Sequence, residues 1–237
     1  MTQEELLELA RRPIPHERPG EYPLAQETGE PLVDLTDRSP RVVYGGEYLR
    51  RGLPGALSRC LLREEAADRL LTLAEELPVG YGFYIFDTLR PVTVQQALYD
   101  GFLEELRRRE PDLSSEELAR RADDFVALPR VSYDRPAPHT TGGAVDLTLT
   151  FRGAPLEMGT GFDDFSPRAQ TRWLEEDPHP TDREARGHRR MLYHLMAGAG
   201  FANYAGEWWH YSYGDRAWAR ATGRPPRYSY ITWEDRR

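Results

Sequence analysis

Lysine does not occur in this chain; all 31 basic side chains are arginine. That absence reads as a base-composition or habitat bias without chemical meaning, and lysine loss alone does not argue thermal adaptation. Cysteine is scarce too. Cys60 stands alone beside Leu61 and Leu62, so no internal disulfide can form and the thiol reads as a small buried hydrophobe. No apolar run approaches the roughly 20 residues needed to cross a bilayer. The first twenty residues open with acids and offer no apolar stretch of about 7–15 residues, which removes a secretory leader from the reading. Together these absences lead to the expectation of a cytoplasmic protein that meets no membrane. Basic stripes are missing as well. The net charge is −8 and Arg107, Arg108 and Arg109 sit among acids, so nucleic acid is not an expected partner.

What is present suffices for a folded core: 39% apolar and 11% aromatic residues in a chain of 237, with one domain as the simplest expectation. Residues 3–11 suit a short amphipathic helix. Pro13, Pro15, Pro19 and Pro23 then keep the chain extended, so residues 1–30 are expected to form an arm and residues 31–237 the main domain. Val33–Leu35 alternates like a strand that enters the sheet. Between Leu62 and Leu77 the apolar positions Ala66, Leu70, Leu73 and Leu77 recur at three and four, the mark of a helix with one buried stripe. Pro78 and Gly80 end it. The aromatic and β-branched run Tyr81–Phe86 predicts a strand that delivers Asp87 and Arg90 to a loop. Helices are expected from Pro91 to about Leu106, from Ser114 to about Leu128, and from Arg183 to about Ala199. Ala144–Phe151 alternates as a strand, and Phe201–Tyr213 predicts an aromatic-rich strand or strand pair. Helices interspersed with strands and joined by long excursions point to a single α+β domain, a mainly antiparallel sheet flanked by helices.

Three islands, far apart in the chain, set polar residues into apolar or glycine-rich surroundings: Asp87 to Pro91, His139 to Asp146, and Glu207 to His210. Each alone has a duller account, since a strand aspartate is usually paired with arginine and a histidine among tryptophans is usually a satisfied core residue. Together they fit a catalytic metal site, which needs N or O ligands and one open position. Gly142 and Gly143 allow a tight turn, so that His139 and Asp146 can converge with His210 on one ion. A His/Asp/His set without thiolate suits zinc, although nickel, cobalt or iron takes the same ligands. Glu207 is better employed as the general base than as a further ligand. Being three residues from His210 it would face the opposite side of a regular strand, so it is expected at the strand entrance or on a bulge. Arg90 suits a substrate carboxylate or an oxyanion, with a plain salt bridge to Asp87 as the alternative. His16, His179, His188 and His194 are assigned to structure or solvent.

The ordered segments Asp87–x–x–Arg90–Pro91, His139–x–x–Gly142–x–Ala144–x–Asp146–Leu147–Thr148–Leu149, Met158–Gly159 with Phe162–Asp163, and Glu207–Trp208–Trp209–His210–Tyr211 resemble the D-alanyl-D-alanine dipeptidases associated with vancomycin resistance. That family is a branch of the zinc D,D-peptidases, and the likeness runs from about residue 30 to 215. The resemblance implies a hedgehog-like zinc D,D-peptidase fold and one Zn2+ on His139, Asp146 and His210. It further implies Glu207 as base, Arg90 as transition-state stabiliser, and a substrate side that includes Asp163, receiving the dipeptide ammonium group, and Asp87. The implied reaction is hydrolysis of D-Ala-D-Ala in peptidoglycan metabolism. Ala137 and Pro138 depart from the serines that often precede the zinc histidine in that family, which loosens the expectation about substrate. A D,D-carboxypeptidase, a dipeptidase of other specificity and a non-catalytic zinc-binding module stay open as alternatives. Oligomeric state has no signature.

Overall fold

The computed structural model describes residues 1–17, 20–125, 128–164, 166–176 and 179–232. In chain order the elements are α1 (Gln3–Arg11), β1 (Leu32–Asp34), β2 (Val42–Tyr44), α2 (Glu47–Arg50), β3 (Leu61–Arg63), α3 (Glu64–Glu76), β4 (Tyr81–Asp87), α4 (Val92–Arg109) and α5 (Ser115–Phe125). They continue with β5 (Ala144–Phe151), β6 (Ala154–Pro155), α6 (Trp173–Glu176), α7 (Arg183–Gly198), β7 (Ala202–Asn203), β8 (His210–Ser212) and α8 (Arg216–Thr222). The class is α+β, as the segment pattern predicts.

The main sheet runs β2-β4-β5-β8-β7, with β6 pairing at the far end of β5. Every pairing in it is antiparallel except that of the edge strand β2, which lies parallel to β4. β1 does not enter this sheet. It pairs instead with β3 in a separate two-stranded ribbon, because Leu61–Arg63, whose Leu62 and Arg63 the sequence reading gave to the following helix, is extended and buried. The helix after it therefore starts at Glu64, yet buries the expected stripe of Ala66, Leu70 and Leu73. α4 runs to Arg109, a turn beyond Leu106. α5 ends at Phe125, and Leu128 is already outside it, while residues 126 and 127 of the expected span lie outside the described residues.

β5 is the spine. Its Val145, Leu147 and Leu149 face the main core with Phe83, Ile85, Leu70, Leu192 and Trp209, while Ala144, Asp146, Thr148 and Thr150 point to the other side and are buried as well. Burying each large apolar side chain is worth roughly 1.5–3 kcal/mol. α1, opened by a capping box between Thr2 and Glu5, joins the same core through Leu6. The extended arm after it is tied along its length, from Ile14 hydrogen-bonded by Arg172 and Glu175 to Glu27 and Glu30 on the buried guanidinium of Arg63. Cys60 is 0% exposed, and burial pushes its thiol upwards. No helix of the described residues is long and apolar enough to cross a membrane.

Candidate metal centre and catalytic cleft

The sheet register assembles the centre. Asp146 of β5 is the direct partner of His210 on β8 and of Asp87 on β4. A shift between Ile85 and Asp87 leaves Phe86 as an extra residue, so β4 changes face there and Asp87 arrives on the side of Asp146. His139 comes from a short 3-10 turn, Pro138–Thr141, that Gly142 closes with φ +72°. A side chain at Gly143 would meet the Tyr213 carbonyl at 2.4 Å, which explains the second glycine.

Nε2 of His139 lies 3.1 Å from Asp146 Oδ2 and 3.1 Å from His210 Nδ1. His210 Nδ1 is 3.0 Å from Asp146 Oδ1. All three residues are buried. Nδ1 of His139 donates to the Thr88 carbonyl at 2.7 Å, which leaves Nε2 of the neutral ring as a bare lone pair. His210 Nδ1 thus faces an imidazole lone pair and a carboxylate together, and one N–H cannot serve both. The two histidine contacts fall on different oxygens of Asp146, and one ligand atom from each residue lies within 4.8 Å of the others, a set that a cation can draw together. The donor set fits a divalent ion. Burial works to raise the Asp146 carboxyl, but the two imidazoles hold it well below the usual carboxylate range.

Glu207 sits in the turn before β8, as expected. Its N–H donates to the Tyr204 carbonyl at 3.1 Å, and Asn203 on β7 donates its amide to the carbonyls of both Glu207 and His210 at 3.0 Å. Trp208 and Trp209 pin the turn: Trp208 Nε1 donates to Thr160 at 2.8 Å and Leu147 N–H donates to the Trp209 carbonyl at 3.1 Å. The Glu207 carboxylate stands 3.8 Å from His210 Nδ1, with its side chain 25% exposed. It accepts no hydrogen bond among the described residues. Burial pushes its carboxyl up to about 7, opposed by His210 and Arg90 and reinforced by Asp146.

Arg90 leaves β4 toward the same point. Nε donates to Asp87 Oδ2 at 2.7 Å, Nη1 to Gln95 at 3.0 Å, and Nη2 to both Tyr48 and Asp146 at 3.2 Å. The salt bridge to Asp87 thus exists, and it leaves Nη2 facing Asp146. Asp87, expected on the substrate side, spends Oδ2 on Arg90 and lies 3.5 Å from His139 Nδ1. Asp163, at a left-handed φ of 60°, accepts from the Tyr48 hydroxyl at 3.1 Å and pairs with Arg51. Its loop is anchored by the buried Arg189, which donates to the Met158, Gln170 and Arg168 carbonyls. Phe162 stacks on Phe86 at 4.5 Å and 8°, forming an aromatic wall beside Tyr48 and Trp209.

Tyr48, Asn203 and Gln95 went unread in the sequence, since nothing in their local pattern sets them apart from core or surface residues. The remaining histidines serve structure: His188 and His194 hydrogen-bond the carbonyls of Glu157 and Arg12. His16 meets Arg172 and His179 meets Thr181.

Two buried imidazoles and a carboxylate around one point, with a second carboxylate beside them and a guanidinium opposite, are a centre suited to a metallopeptidase. A family model described as D-ala-D-ala dipeptidase matches residues 47–226, and the chain belongs to this peptidase family. It is 31% identical over 216 residues to a D-alanyl-D-alanine dipeptidase of Synechocystis, covering 82% of this chain and 86% of that one. The Streptomyces coelicolor protein of the same name is 31% identical over 173 residues, 70% of this chain and 75% of its own, and that of Escherichia coli 29% over 160, 65% and 67%. A solved D,D-pentapeptidase, VanY with Zn(II), covers 66% of this chain and 74% of its own at a TM-score of 0.37 and 20% identity, a likeness too slight to transfer any residue.

Proposed function

We propose that the protein hydrolyses the dipeptide D-Ala-D-Ala to free D-alanine, using one Zn2+ held by His139 Nε2, the Asp146 carboxylate and His210 Nδ1. The observation that carries the reading is the buried cluster of His139 Nε2, His210 Nδ1 and the Asp146 carboxylate, each group in contact with the other two at 3.0–3.1 Å, with the unbonded Glu207 carboxylate at its edge. Bound there, the ion supplies Lewis acidity that brings the pKa of a water towards about 7 and polarises the scissile carbonyl. Glu207 accepts a proton from the attacking water at its carboxylate and returns it to the leaving amine nitrogen. Arg90 holds a permanent positive charge, through Nη2, beside the developing oxyanion. Asp163, with Oδ1 on the Tyr48 hydroxyl and Oδ2 on the half-exposed Arg51, receives the substrate ammonium group. Asp87 acts as a positioning residue that aims Arg90, in place of the expected substrate contact. Residues 31–237 form the catalytic domain and residues 1–30 a docked arm. Its setting is the cytoplasm and peptidoglycan metabolism, in keeping with a single buried cysteine.

The test is metal analysis of the purified protein, followed by chelation and zinc readdition with D-Ala-D-Ala and, in parallel, a pentapeptide ending in D-Ala-D-Ala. One zinc per chain and D-alanine release from the dipeptide, lost on chelation and restored on readdition, are expected. Single D-alanine released only from the pentapeptide would make the protein a D,D-carboxypeptidase. A zinc-loaded protein inert on both would return the non-catalytic module.

A further inference from the structure

The ring of His210 has a second nitrogen, which leads away from the cleft into the protein. Nε2 lies 3.4 Å from the Ser212 hydroxyl, and Ser212 is buried. Asp215, 1% exposed, is near enough for the Ser212 hydroxyl to act on its carboxyl. Its Oδ1 accepts the Trp218 N–H at 2.8 Å and so caps α8, but Oδ2 is buried with no hydrogen-bond partner. Burial raises the Asp215 carboxyl, while the Trp218 amide and the neighbouring Ser212 hydroxyl pull against the rise. Capping accounts for one oxygen only. The other is an orphan, and orphaned buried carboxylate oxygens call for an explanation.

We propose that Ser212 and Asp215 are positioning residues for the metal centre: with a cation on Nδ1, His210 donates Nε2–H to Ser212 Oγ, and Ser212 donates its own hydrogen to Asp215 Oδ2. A proton count carries this inference, which rests on the metal site proposed above. An imidazole that gives Nδ1 to a cation keeps its one proton on Nε2. That N–H needs a buried acceptor, and the Ser212 oxygen is the one in place. Once Ser212 accepts, its hydrogen is released from the ring and is free to turn to the unpartnered carboxylate oxygen. In the opposite tautomer, with Nδ1–H on Asp146, His210 Nε2 and Asp215 Oδ2 compete for the one Ser212 hydrogen, and one of the two stays unpartnered. A cation on Nδ1 removes that competition. The buried negative charge also raises the basicity of Nδ1 through the serine, as carboxylates hydrogen-bonded directly to metal-binding histidines do.

Zinc dissociation constants from chelator competition, for the parent and for S212A, D215N, D215A and S212A/D215N, test this. Thermal unfolding of each metal-free protein and the visible spectrum of each Co2+ form accompany them. Asparagine keeps an oxygen for the Trp218 amide, so D215N preserves the cap while removing the charge. D215N is expected to unfold near the parent temperature yet bind zinc about 10–100-fold more weakly, with an altered Co2+ spectrum. S212A should do the same. The double variant should bind no more weakly than the worse single one, because both interrupt one chain. A D215N affinity within twofold of the parent would overturn the proposal, as would a loss in D215A that D215N does not share, since that would be the cap alone. If the parent itself binds no divalent cation, the metal reading fails and this inference falls with it.

Discussion

Glutamine at position 207 removes the proton acceptor while keeping the shape of the side chain, and the geometry separates that change from metal binding. His139 Nε2, His210 Nδ1 and the Asp146 carboxylate touch one another at 3.0–3.1 Å, whereas the Glu207 carboxylate lies 3.8 Å from His210 Nδ1 and accepts no hydrogen bond among the described residues. Losing a positioned general base costs about 10²–10⁴-fold in rate, and at about 1.36 kcal/mol per tenfold this is about 3–5 kcal/mol of barrier. E207Q should therefore keep one zinc per chain, keep the parent's zinc affinity within about twofold, and lower kcat on D-Ala-D-Ala into that range with KM little changed. The assay is D-alanine release at saturating substrate, with zinc content measured on the same sample. Retention of more than about a tenth of parental kcat would remove Glu207 as the base. Loss of zinc in proportion to activity would make it a ligand instead.

Asp163→Asn should raise KM for D-Ala-D-Ala by about 10–100-fold with kcat nearly unchanged, as expected for a hydrogen bond to a charged group. An equal rise for an N-acetylated dipeptide, which has no ammonium group, would refute the assignment. Arg90→Lys abolishes the fork that joins Asp87, Gln95, Tyr48 and Asp146, and should lower kcat by about 10²–10³-fold in steady-state assays; unchanged kcat would make the arginine structural. Glu65 contributes to the acid sensitivity of the fold. Burial works to raise its carboxyl, but Tyr213, Arg69 and Arg227 bring it down to about 2 from an ordinary 4.5. The stabilisation is present in full above the unfolded value and is lost as pH falls through about 4.5 toward 2. Since the side chain is 34% exposed, screening reduces it to about 1 kcal/mol. Denaturant titrations at pH 7 and pH 3 should show a smaller fall in stability for E65Q than for the parent, and equal falls would exclude Glu65.

Much of the site was legible because its residues break a pattern that has no other use for them. Asp146 interrupts a strand of otherwise apolar and threonine residues, and His139 stands before two glycines that a loop of this length does not need unless its backbone must turn. Glu207 was placed at a strand entrance on periodicity alone. What escaped was set by contacts distant in sequence. β2 and β3 are three residues each, too short to show a period of two, and Leu62 and Arg63 of β3 were read as the start of the following helix, while the strand read at Val33–Leu35 pairs outside the main sheet. Tyr48 looks like any aromatic near a short helix until Arg90, 42 residues on, donates to its hydroxyl. Asp215 went unread in the sequence; it caps α8, and only the burial of its second oxygen sets it apart from an ordinary cap.

The centre depends on register more than on any single ligand. Asp146 is flanked on both sides of the sheet, by Asp87 and by His210, and cross-strand partners share a face. On the β8 side a regular antiparallel ladder does this. On the β4 side it does not: a regular continuation from Ile85 and Leu147 would set Phe86 against Asp146 and Asp87 against Val145, on the core face. The bulge at Phe86 turns Asp87 round to the cleft and carries Arg90 with it, while Phe86 itself goes to the aromatic wall against Phe162. One inserted residue therefore decides whether the guanidinium faces Asp146 at all. That makes the spacing between Ile85 and Arg90 a stricter requirement of the site than the identity of the residues between them.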